Sequence, residues 1–428
     1  MIRKPKIVII GAGSTSFGRA CIQDAFSTKE LWGSELVFVD LNATALDRMV
    51  KVAERINNEL KAGFKISKST DRCAVLPGTD FIITSIAINR NEMWKHDFEV
   101  PFKYGIQHVL GENGGPGCVF HTMRNIPIIL DICRDIEKLC PEALLINFTN
   151  PESRICLAIK KYTKVKAVGL CHQIGEGINI VKKILGEDAP EIDVKAFGLN
   201  HFTWFSEISD KNTGENLYPL FAEKEKAFDP EYEKLSRFLY HKFGMFPTSG
   251  DGHLGEYIPY AHEMMSTKGY DFDADEANRK DNVKYLEDMA NPAVELDKNM
   301  LLPSGEKAFS IIRGITYNTN ELIESVNIPN DGYISNLPQD AIVEVPAVVS
   351  GKGIHGLGMG SLPRGIAALC AGQINVQHLV VDAGATGNKE LVMQALLVDP
   401  NVPSAKAAEG IYNELMEINK PYLPQFKW

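Results

Sequence analysis

The stretch KIVIIGAGSTSFGRA, residues 6–20, decides how the fold of this chain is interpreted. Its apolar run KIVII predicts a β-strand, GAGSTSFG a turn, and RACIQDAF the start of a helix. Gly11 and Gly13 fit the first part of GxGxxG, in which the first glycine permits a tight turn and the second lets the backbone approach a pyrophosphate. The third glycine is displaced to Gly18. On its own, the motif therefore also fits a glycine-rich turn that binds no cofactor.

The next apolar stretch, ELVFVD, predicts a second strand that ends at Asp40. In dinucleotide-binding folds, an acidic residue at this place holds the ribose 2′-hydroxyl, and its charge disfavours a 2′-phosphate. We therefore predict that the chain binds NAD rather than NADP. The predicted cofactor-binding residues are Gly11, Gly13, Ser14, Gly18 and Asp40.

Short apolar runs alternate with helical patterns through the first half of the chain, which predicts an α/β fold with a doubly wound parallel sheet of the Rossmann type. Past VKAFGLNHFTW the character changes to longer helical segments, a Gly/Ser/Asp-rich stretch at 247–255 and the strand-like run ISNLPQDAIVEVPAVV. We predict an NAD-binding domain over residues 1–195. Residues 196–428 are predicted to form a second, mixed α+β lobe for substrate, catalysis and oligomer formation.

Composition restricts the partners and the compartment. The chain carries 45 basic and 55 acidic side chains, a formal charge of −10 with no basic run, which argues against nucleic acid and anionic membranes and favours a small-molecule partner. No segment approaches the roughly 20 apolar residues of a transmembrane helix, and the apolar run after MIRKP is too short for a signal sequence. The eight cysteines show no CxxC spacing, so we expect free thiols in a reducing cytoplasm.

Three motifs place polar residues directly after apolar runs: NFTNP (147–151), GLCH (169–172) and GLNHFTW (198–204). Open α/β sheets bind ligands at the ends of their strands, so Cys171 and His201 are candidates for ligands of one metal that keeps open positions for substrate. The softness of a thiolate ligand favours zinc or iron. Taken singly, each residue also fits a place in the core, because free cysteines and isolated histidines are commonly buried.

Several spaced motifs together resemble glycoside hydrolase family 4, the NAD-dependent glycosidases, over nearly the whole chain. The motifs are GAGS (11–14), GENGGPG (111–117), NFTNP, GLCH, GLNH and NLPQDAIVEVPA (336–347). The resemblance implies that NAD takes a hydride from C3 of a sugar and that a divalent metal, usually Mn²⁺, is held by Cys171 and His201. A base then removes the C2 proton, the bond from C1 to oxygen breaks by elimination, water adds, and the steps reverse. A homodimer or homotetramer is also implied.

The resemblance implies roles for further residues. His172 is the candidate acid for the leaving group, with a role in orienting substrate as the alternative, and Asn150 is the expected contact to a sugar hydroxyl. The stretch FPTSGDGHLGEYIPY (246–260) falls where the family supplies the base. Asp251 is the first choice for that base, and His253 and Tyr257 are the alternatives.

Substrate contacts are predicted around the GENGGPG loop. Glu112 and Asn113 are expected near the sugar or the base, where Glu112 would influence the pKa of that base. Several relatives carry Arg where this chain has His121, whereas Arg124 is retained. A uronate substrate would need a cation, for which Arg90 and Arg124 are the candidates.

The histidine that follows Cys171 favours an unphosphorylated α-glycoside, because the phosphoglucosidase branches of the family carry Asp or Asn where this chain has His172. Within that class, the motifs favour an α-galacturonide or an α-galactoside. The alternatives are an α-glucosidase, an α-glucuronidase or a 6-phospho-glycosidase of the same family, an NAD-dependent sugar dehydrogenase that accumulates NADH, and a non-catalytic regulator that binds NAD or sugar.

Overall fold

The computed structural model describes residues 3–265 and 270–428, and their strands form one twelve-stranded sheet. The strands are β1 (Lys6–Ile10), β2 (Glu35–Val39), β3 (Lys65–Ser69), β4 (Phe81–Thr84), β5 (Leu144–Asn147), β6 (Lys166–Gly169), β7 (Ile192–Leu199), β8 (Phe202–Asp210), β9 (Phe246–Pro247), β10 (Glu321–Pro329), β11 (Ile342–Ser350) and β12 (Gly353–Gly356).

The sheet has a parallel half and an antiparallel half. The order β3-β2-β1-β4-β5-β6, with parallel pairing throughout, is the doubly wound order of dinucleotide-binding folds. Strand β10 then pairs antiparallel with β6, and the order continues β11-β7-β8-β9, with β12 paired to β11. The predicted α/β fold is confirmed, and the antiparallel strands extend the same sheet.

Helices cover the sheet. They are α1 (Phe17–Ser27), α2 (Ala43–Leu60), α3 (Arg90–Lys103), α4 (Gly115–Leu139), α5 (Glu152–Tyr162), α6 (Gln173–Leu185), α7 (Tyr218–Ala227), α8 (Lys234–Phe243), α9 (Asp251–Leu254), α10 (Phe272–Ala290), α11 (Ala308–Tyr317), α12 (Arg364–Thr386), α13 (Lys389–Val398) and α14 (Ala405–Asn419). Within residues 3–265 and 270–428, no helix is long and apolar enough to cross a membrane.

Strand β1 shows why its sequence is continuously apolar. Ile7 and Ile9 belong to a core cluster shared with α1 and α2, whereas Val8 belongs to a second cluster shared with α4 and α5. A parallel strand that is covered by helices on both faces has no solvent side, so its residues do not alternate between apolar and polar.

The predicted boundary at residue 195 falls inside β7. The later strands β10 and β11 insert between β6 and β7, so one sheet runs through both predicted lobes. The C-terminal helices also return to the first half, where Phe120 and Met123 of α4 share a core cluster with Val376, Leu396 and Ile411. The division at 195 stays a prediction.

Asp24 on α1 is a buried carboxyl group whose ionisation affects stability. Its oxygens accept hydrogen bonds from the backbone N–H (2.7 Å) and the hydroxyl (2.5 Å) of Ser304. Burial raises the pKa of Asp24 from 3.8 to about 6, and the bonds from Ser304 oppose this only in part. The folded state therefore binds this proton more tightly than the unfolded chain. The resulting stabilisation is complete below pH 3.8 and is lost as the pH rises through about 6.

The variant Asp24→Asn keeps a carbonyl acceptor for Ser304 and removes the ionisation. Between pH 5 and pH 8 the wild type loses the stabilisation from protonated Asp24, and the variant does not. We therefore expect the free energy of unfolding of the variant, relative to that of the wild type, to increase by about 1 kcal/mol over this range, since one pKa unit corresponds to about 1.4 kcal/mol. Thermal unfolding at the two pH values measures this, with the exposed Asp193→Asn as the control. A difference between variant and wild type that stays constant with pH would contradict the assignment.

Candidate active site

The predicted dinucleotide loop joins β1 to α1, and its glycines are required by close backbone contacts. Gly11 has a φ of +88°, a conformation that favours glycine, and a Cβ atom there would lie 1.9 Å from the carbonyl oxygen of Ser85. A Cβ on Gly18 would lie 2.3 Å from the carbonyl oxygen of Ala12, so Gly18 lets α1 pack closely against the loop. The displaced third glycine thus performs the packing role of the motif.

Asp40 organises this loop from the end of β2. Its Oδ2 accepts a hydrogen bond from the backbone N–H of Gly13 (2.8 Å), and its Oδ1 accepts one from the N–H of Asn42 (2.9 Å). Ser14 Oγ accepts from the N–H of Phe17 (3.1 Å) at the start of α1. The β1–α1 loop with Gly11, Gly13 and Ser14 is therefore contacted by Gly18 of α1 and by Asp40 after β2. The absence of side-chain atoms at Gly13, where a Cβ would lie 2.7 Å from Asp40 Oδ2, fits the close approach of a dinucleotide.

We expect Gly13→Ala to weaken NAD binding by at least about fivefold, because overpacking of this kind costs roughly 1–3 kcal/mol and would displace the Asp40 carboxylate. Isothermal titration of the purified protein with NAD measures the change. Gly372→Ala is the matched control, because Gly372 lies on α12 and a Cβ there meets no atom within 4 Å. An unchanged dissociation constant for Gly13→Ala would contradict the assignment of this loop.

The structure brings Cys171 and His201 together, with 3.2 Å between Sγ and Nε2. Cys171 follows β6, and His201 lies in the turn between β7 and β8 with a φ of +58°. The hydroxyl of Ser249 donates to the carbonyl oxygen of His201 (2.7 Å) and so helps to hold this left-handed turn.

The surroundings of the pair fit a metal site. His201 is only 4% exposed, and its Nδ1 has no hydrogen-bond partner among the described residues. Burial raises the pKa of the Cys171 thiol, with the charge of Glu344 adding to the effect. A bound divalent cation favours the thiolate and would compensate for this burial. A thiolate and an imidazole are donors that suit zinc and iron better than manganese.

A second histidine lies against this pair. The ring centroids of His253 and His201 are 4.2 Å apart, and Nδ1 of His253 is 3.2 Å from Oε2 of Glu256. One ligand atom from each of His201, His253 and Glu256 lies within 4.8 Å of the others. Burial lowers the pKa of His253, but the hydrogen bond and charge of Glu256, with Glu112 and Glu176 adding to them, raise it to about 9.

Glu256 joins the GENGGPG loop to the segment that carries His253. Its carboxylate is 1% exposed, and Oε1 accepts the backbone N–H groups of Glu112 (2.6 Å) and Asn113 (2.7 Å). Sequence reasoning missed Glu256. The available signal was an acidic residue three positions after a histidine, a spacing that places both on one face of a helical turn.

Other residues that the sequence singled out, from the GENGGPG loop, the 246–260 segment and α4, lie near Glu256. Tyr257 is buried, its hydroxyl donates to the carbonyl oxygen of Asn113 (3.3 Å), and burial raises its pKa. Burial also raises the pKa of Glu112. The positive charge of Arg90, whose guanidinium lies 3.4 Å from Oε1 of Glu112, partly opposes this increase. His121 Nδ1 donates to the carbonyl oxygen of Glu112 (2.9 Å), and because burial and the charge of Arg124 lower its pKa to about 3, His121 is neutral.

His172 lies at the open side of the site. Its side chain is 76% exposed, and Nδ1 is 3.3 Å from Oε1 of Glu306. The hydrogen bond that His172 donates to the Glu306 carboxylate raises the pKa of His172. Glu306 was not predicted, because only tertiary packing brings the segment before α11 to the start of α6.

Two predicted residues are engaged in other contacts. The carboxylate of Asp251 accepts from the N–H of Leu235 (2.9 Å) and from the N–H (2.8 Å) and hydroxyl (2.7 Å) of Ser236, at the start of α8. Arg124 is buried in an ion pair with Asp97. Asp251 as the base and Arg124 as a substrate contact stay predictions that these contacts do not favour.

Asn150, the predicted contact to a sugar hydroxyl, is half-buried and lies in the NFTNP motif three residues after the end of β5.

We expect Glu306→Gln to lower the pKa of His172, because the variant removes the negative charge that favours the imidazolium. NMR titration of histidine Cε1–H signals in the metal-free protein measures this directly. The control is Glu276→Gln on α10, which removes an exposed carboxylate paired with Lys280. A pKa of His172 that is unchanged in Glu306→Gln would show that the contact does not exist in solution.

The sheet order, the glycine loop held by Asp40 and the thiol–imidazole pair define a class: enzymes built on a dinucleotide-binding fold that also carry a candidate metal site. Comparison with known proteins gives the family. Residues 6–187 match the family 4 glycosyl hydrolases, and residues 196–402 match the C-terminal domain of that family. The chain belongs to the family 4 glycosyl hydrolases and is a glycosidase, as its motifs predicted.

The relatives cover this chain almost completely. An α-glucosidase of Erwinia rhapontici is 33% identical over 99% of both chains. An α-galactosidase of Rhizobium meliloti is 30% identical over 98% of this chain and 89% of its own. An α-galacturonidase of Thermoanaerobacter italicus is 28% identical over 98% of this chain and 97% of its own.

Solved structures agree with the fold. A candidate glucosidase of Bacillus subtilis aligns with a TM-score of 0.85 and 27% identity over 96% of this chain and 99% of its own. A 6-phospho-α-glucosidase from gut microorganisms, in complex with NAD and Mn²⁺, aligns with a TM-score of 0.85 and 21% identity over 99% of this chain and 100% of its own.

Proposed function

We propose that this enzyme is an NAD- and divalent-metal-dependent α-glycosidase that hydrolyses a neutral, unphosphorylated α-hexoside. The reaction would proceed by oxidation at C3, removal of the C2 proton, elimination of the leaving group and addition of water. The observation that carries the proposal is the 3.2 Å contact between Cys171 and His201 in a protein that also has the predicted NAD loop. A structural neighbour that contains both NAD and Mn²⁺ supports the same pair of cofactors.

The cofactors, when bound, supply a reversible hydride acceptor and a positive charge that stabilises negative charge on the sugar oxygens. Cys171 and His201 would hold the metal, which we propose is Mn²⁺. His172 would donate a proton to the leaving oxygen, a role that fits its exposure and its contact with Glu306. Asn150 would hydrogen-bond a sugar hydroxyl.

For the C2 base, the contacts favour His253 over the other two candidates. The oxygens of Asp251 are occupied at the start of α8, and ionising the buried Tyr257 is costly. His253 lies against His201 and is oriented by Glu256. A cation held by His201 would lower the pKa of His253 and so favour the neutral form that a base requires.

The charges around the site favour a neutral sugar. Glu112 and Glu256 act on His253, and Glu306 acts on His172. The two predicted cations for a uronate are already paired: Arg90 with Glu112 and Asp275, and Arg124 with Asp97. An α-galactoside or α-glucoside therefore fits better than a uronide or a 6-phospho sugar, and α-galacturonide is the alternative substrate.

The test is release of a chromogenic leaving group from α-galactoside, α-glucoside, α-galacturonide and 6-phospho-α-glucoside. The protein is first stripped of nucleotide and metal, and NAD and Mn²⁺ are then added singly and together under reducing conditions. We expect turnover of a neutral α-hexoside only with both additions, and loss of turnover in Cys171→Ser. The matched control is Cys73→Ser, because Cys73 is an exposed free thiol.

Turnover that is indifferent to NAD and metal would contradict the proposed mechanism. A preference for α-galacturonide would overturn the argument from charge while leaving the mechanism intact. Accumulation of NADH in proportion to product would instead identify a sugar dehydrogenase.

We also propose that the enzyme is cytoplasmic and forms homodimers or homotetramers. A metal-binding thiol such as Cys171 must remain reduced, which a reducing compartment ensures. Light scattering coupled to size-exclusion chromatography measures the oligomeric state.

A further inference from the structure

The motif NLPQDAIVEVPA (336–347) contains a buried carboxylate that the proposed mechanism does not use. Glu344 on β11 is fully buried, and it forms no ion pair with any cation among the described residues. A buried carboxylate without a cation is costly unless neutral donors satisfy it. The hydrogen-bond donors around Glu344 therefore indicate what role the carboxylate has.

Three neutral donors satisfy Glu344. Its Oε2 accepts from Nε2 of Gln173 (2.5 Å) and from Nδ2 of Asn200 (3.0 Å), and its Oε1 accepts from the hydroxyl of Ser325 (2.5 Å). Two of these donors are neighbours in sequence of the proposed metal ligands. Gln173 lies two residues after Cys171, and Asn200 directly precedes His201.

The sheet explains how one side chain reaches both segments. The backbone of Glu344 pairs with Gly198 on β7 and with Asn327 on β10, and Asn327 pairs in turn with Gly169 on β6. Glu344 therefore lies between the strand that leads to Cys171 and the strand that leads to His201.

We propose that Glu344 is a positioning residue that holds the Cys171 and His201 segments at the separation that metal binding requires. This inference rests on the metal site of the proposed function. The carboxylate acts through Gln173 and Asn200, in the way that partners behind metal ligands commonly fix the orientation of those ligands. Glu344 itself does not contact substrate or cofactor.

The variants separate hydrogen bonding from charge. Glu344→Ala removes both bonds to the ligand segments. Glu344→Gln retains them, because its amide oxygen can accept from Gln173 and Asn200 while its NH₂ group donates to Ser325. The control is Glu225→Gln, which alters another buried carboxylate, paired with Arg237 and His241 and separate from the proposed site.

The measurements are Mn²⁺ affinity by electron paramagnetic resonance, the thiolate-to-metal absorption band of the Co²⁺-loaded protein, and NAD affinity by titration. We expect Glu344→Ala to weaken Mn²⁺ binding by about 10–100-fold and to reduce the Co²⁺ band, with NAD affinity changed by less than about twofold. Glu344→Gln should restore most of the Mn²⁺ affinity. Glu225→Gln should leave all three measurements unchanged.

The inference is overturned if folded Glu344→Ala binds Mn²⁺ as the wild type does, or if its Mn²⁺ and NAD affinities fall together. If Glu344→Ala does not fold, Glu344→Asp takes its place, because its shorter side chain cannot reach both donors, and the same two outcomes overturn the inference. Wild-type protein that binds neither Mn²⁺ nor Co²⁺ would refute the proposed function itself. Wild-type binding combined with normal binding in the variant would refute only the role of Glu344.

Discussion

The arrangement of the candidate site depends on the backbone pairing that joins the two halves of the sheet. Gly169, Asn327, Glu344 and Gly198 form one row across β6, β10, β11 and β7. The glycines at the two ends of this row are required by space. A Cβ on Gly169 would collide with the buried carboxylate of Glu152, and a Cβ on Gly198 would lie 2.5 Å from the carbonyl oxygen of Phe202.

This row explains why GLCH and GLNH each begin with glycine and why their polar residues meet. The chain leaves β6 and β7 within a few residues of the row, so Cys171 and His201 arrive 3.2 Å apart although 30 residues separate them in sequence. A second set of contacts closes the site from the other side. There Glu256 binds backbone N–H groups of the GENGGPG loop and orients His253 against His201.

The sequence predicted those parts of the molecule whose determinants are local. The KIVII strand, the glycine turn and Asp40 lie within 40 residues, and their geometry follows from backbone sterics that a motif expresses directly. The pairing of Cys171 with His201 was also predicted, because both follow apolar runs that lead towards one sheet.

The parts that could not be predicted depend on distant pairings. Glu256 meets Glu112 across 144 positions, and Glu344 meets Gln173 across 171. A buried carboxylate resembles any other acidic residue until its hydrogen-bond donors are known. Asp251 illustrates the converse: its segment indicated a catalytic acid or base, whereas its oxygens bind the start of α8. The single sheet through both predicted lobes was missed because it requires β10 and β11 to insert beside β6.

The central claim is that the metal, the cofactor and a base cooperate to remove the C2 proton of the sugar. The most direct test is to run the hydrolysis in D₂O with NAD and Mn²⁺ and to examine C2 of the released sugar by NMR and mass spectrometry. The account predicts deuterium at C2 of the product, because a proton removed by a base exchanges with solvent before it returns. Product that retains only protium at C2 through complete hydrolysis would contradict the account and would point to direct displacement at C1.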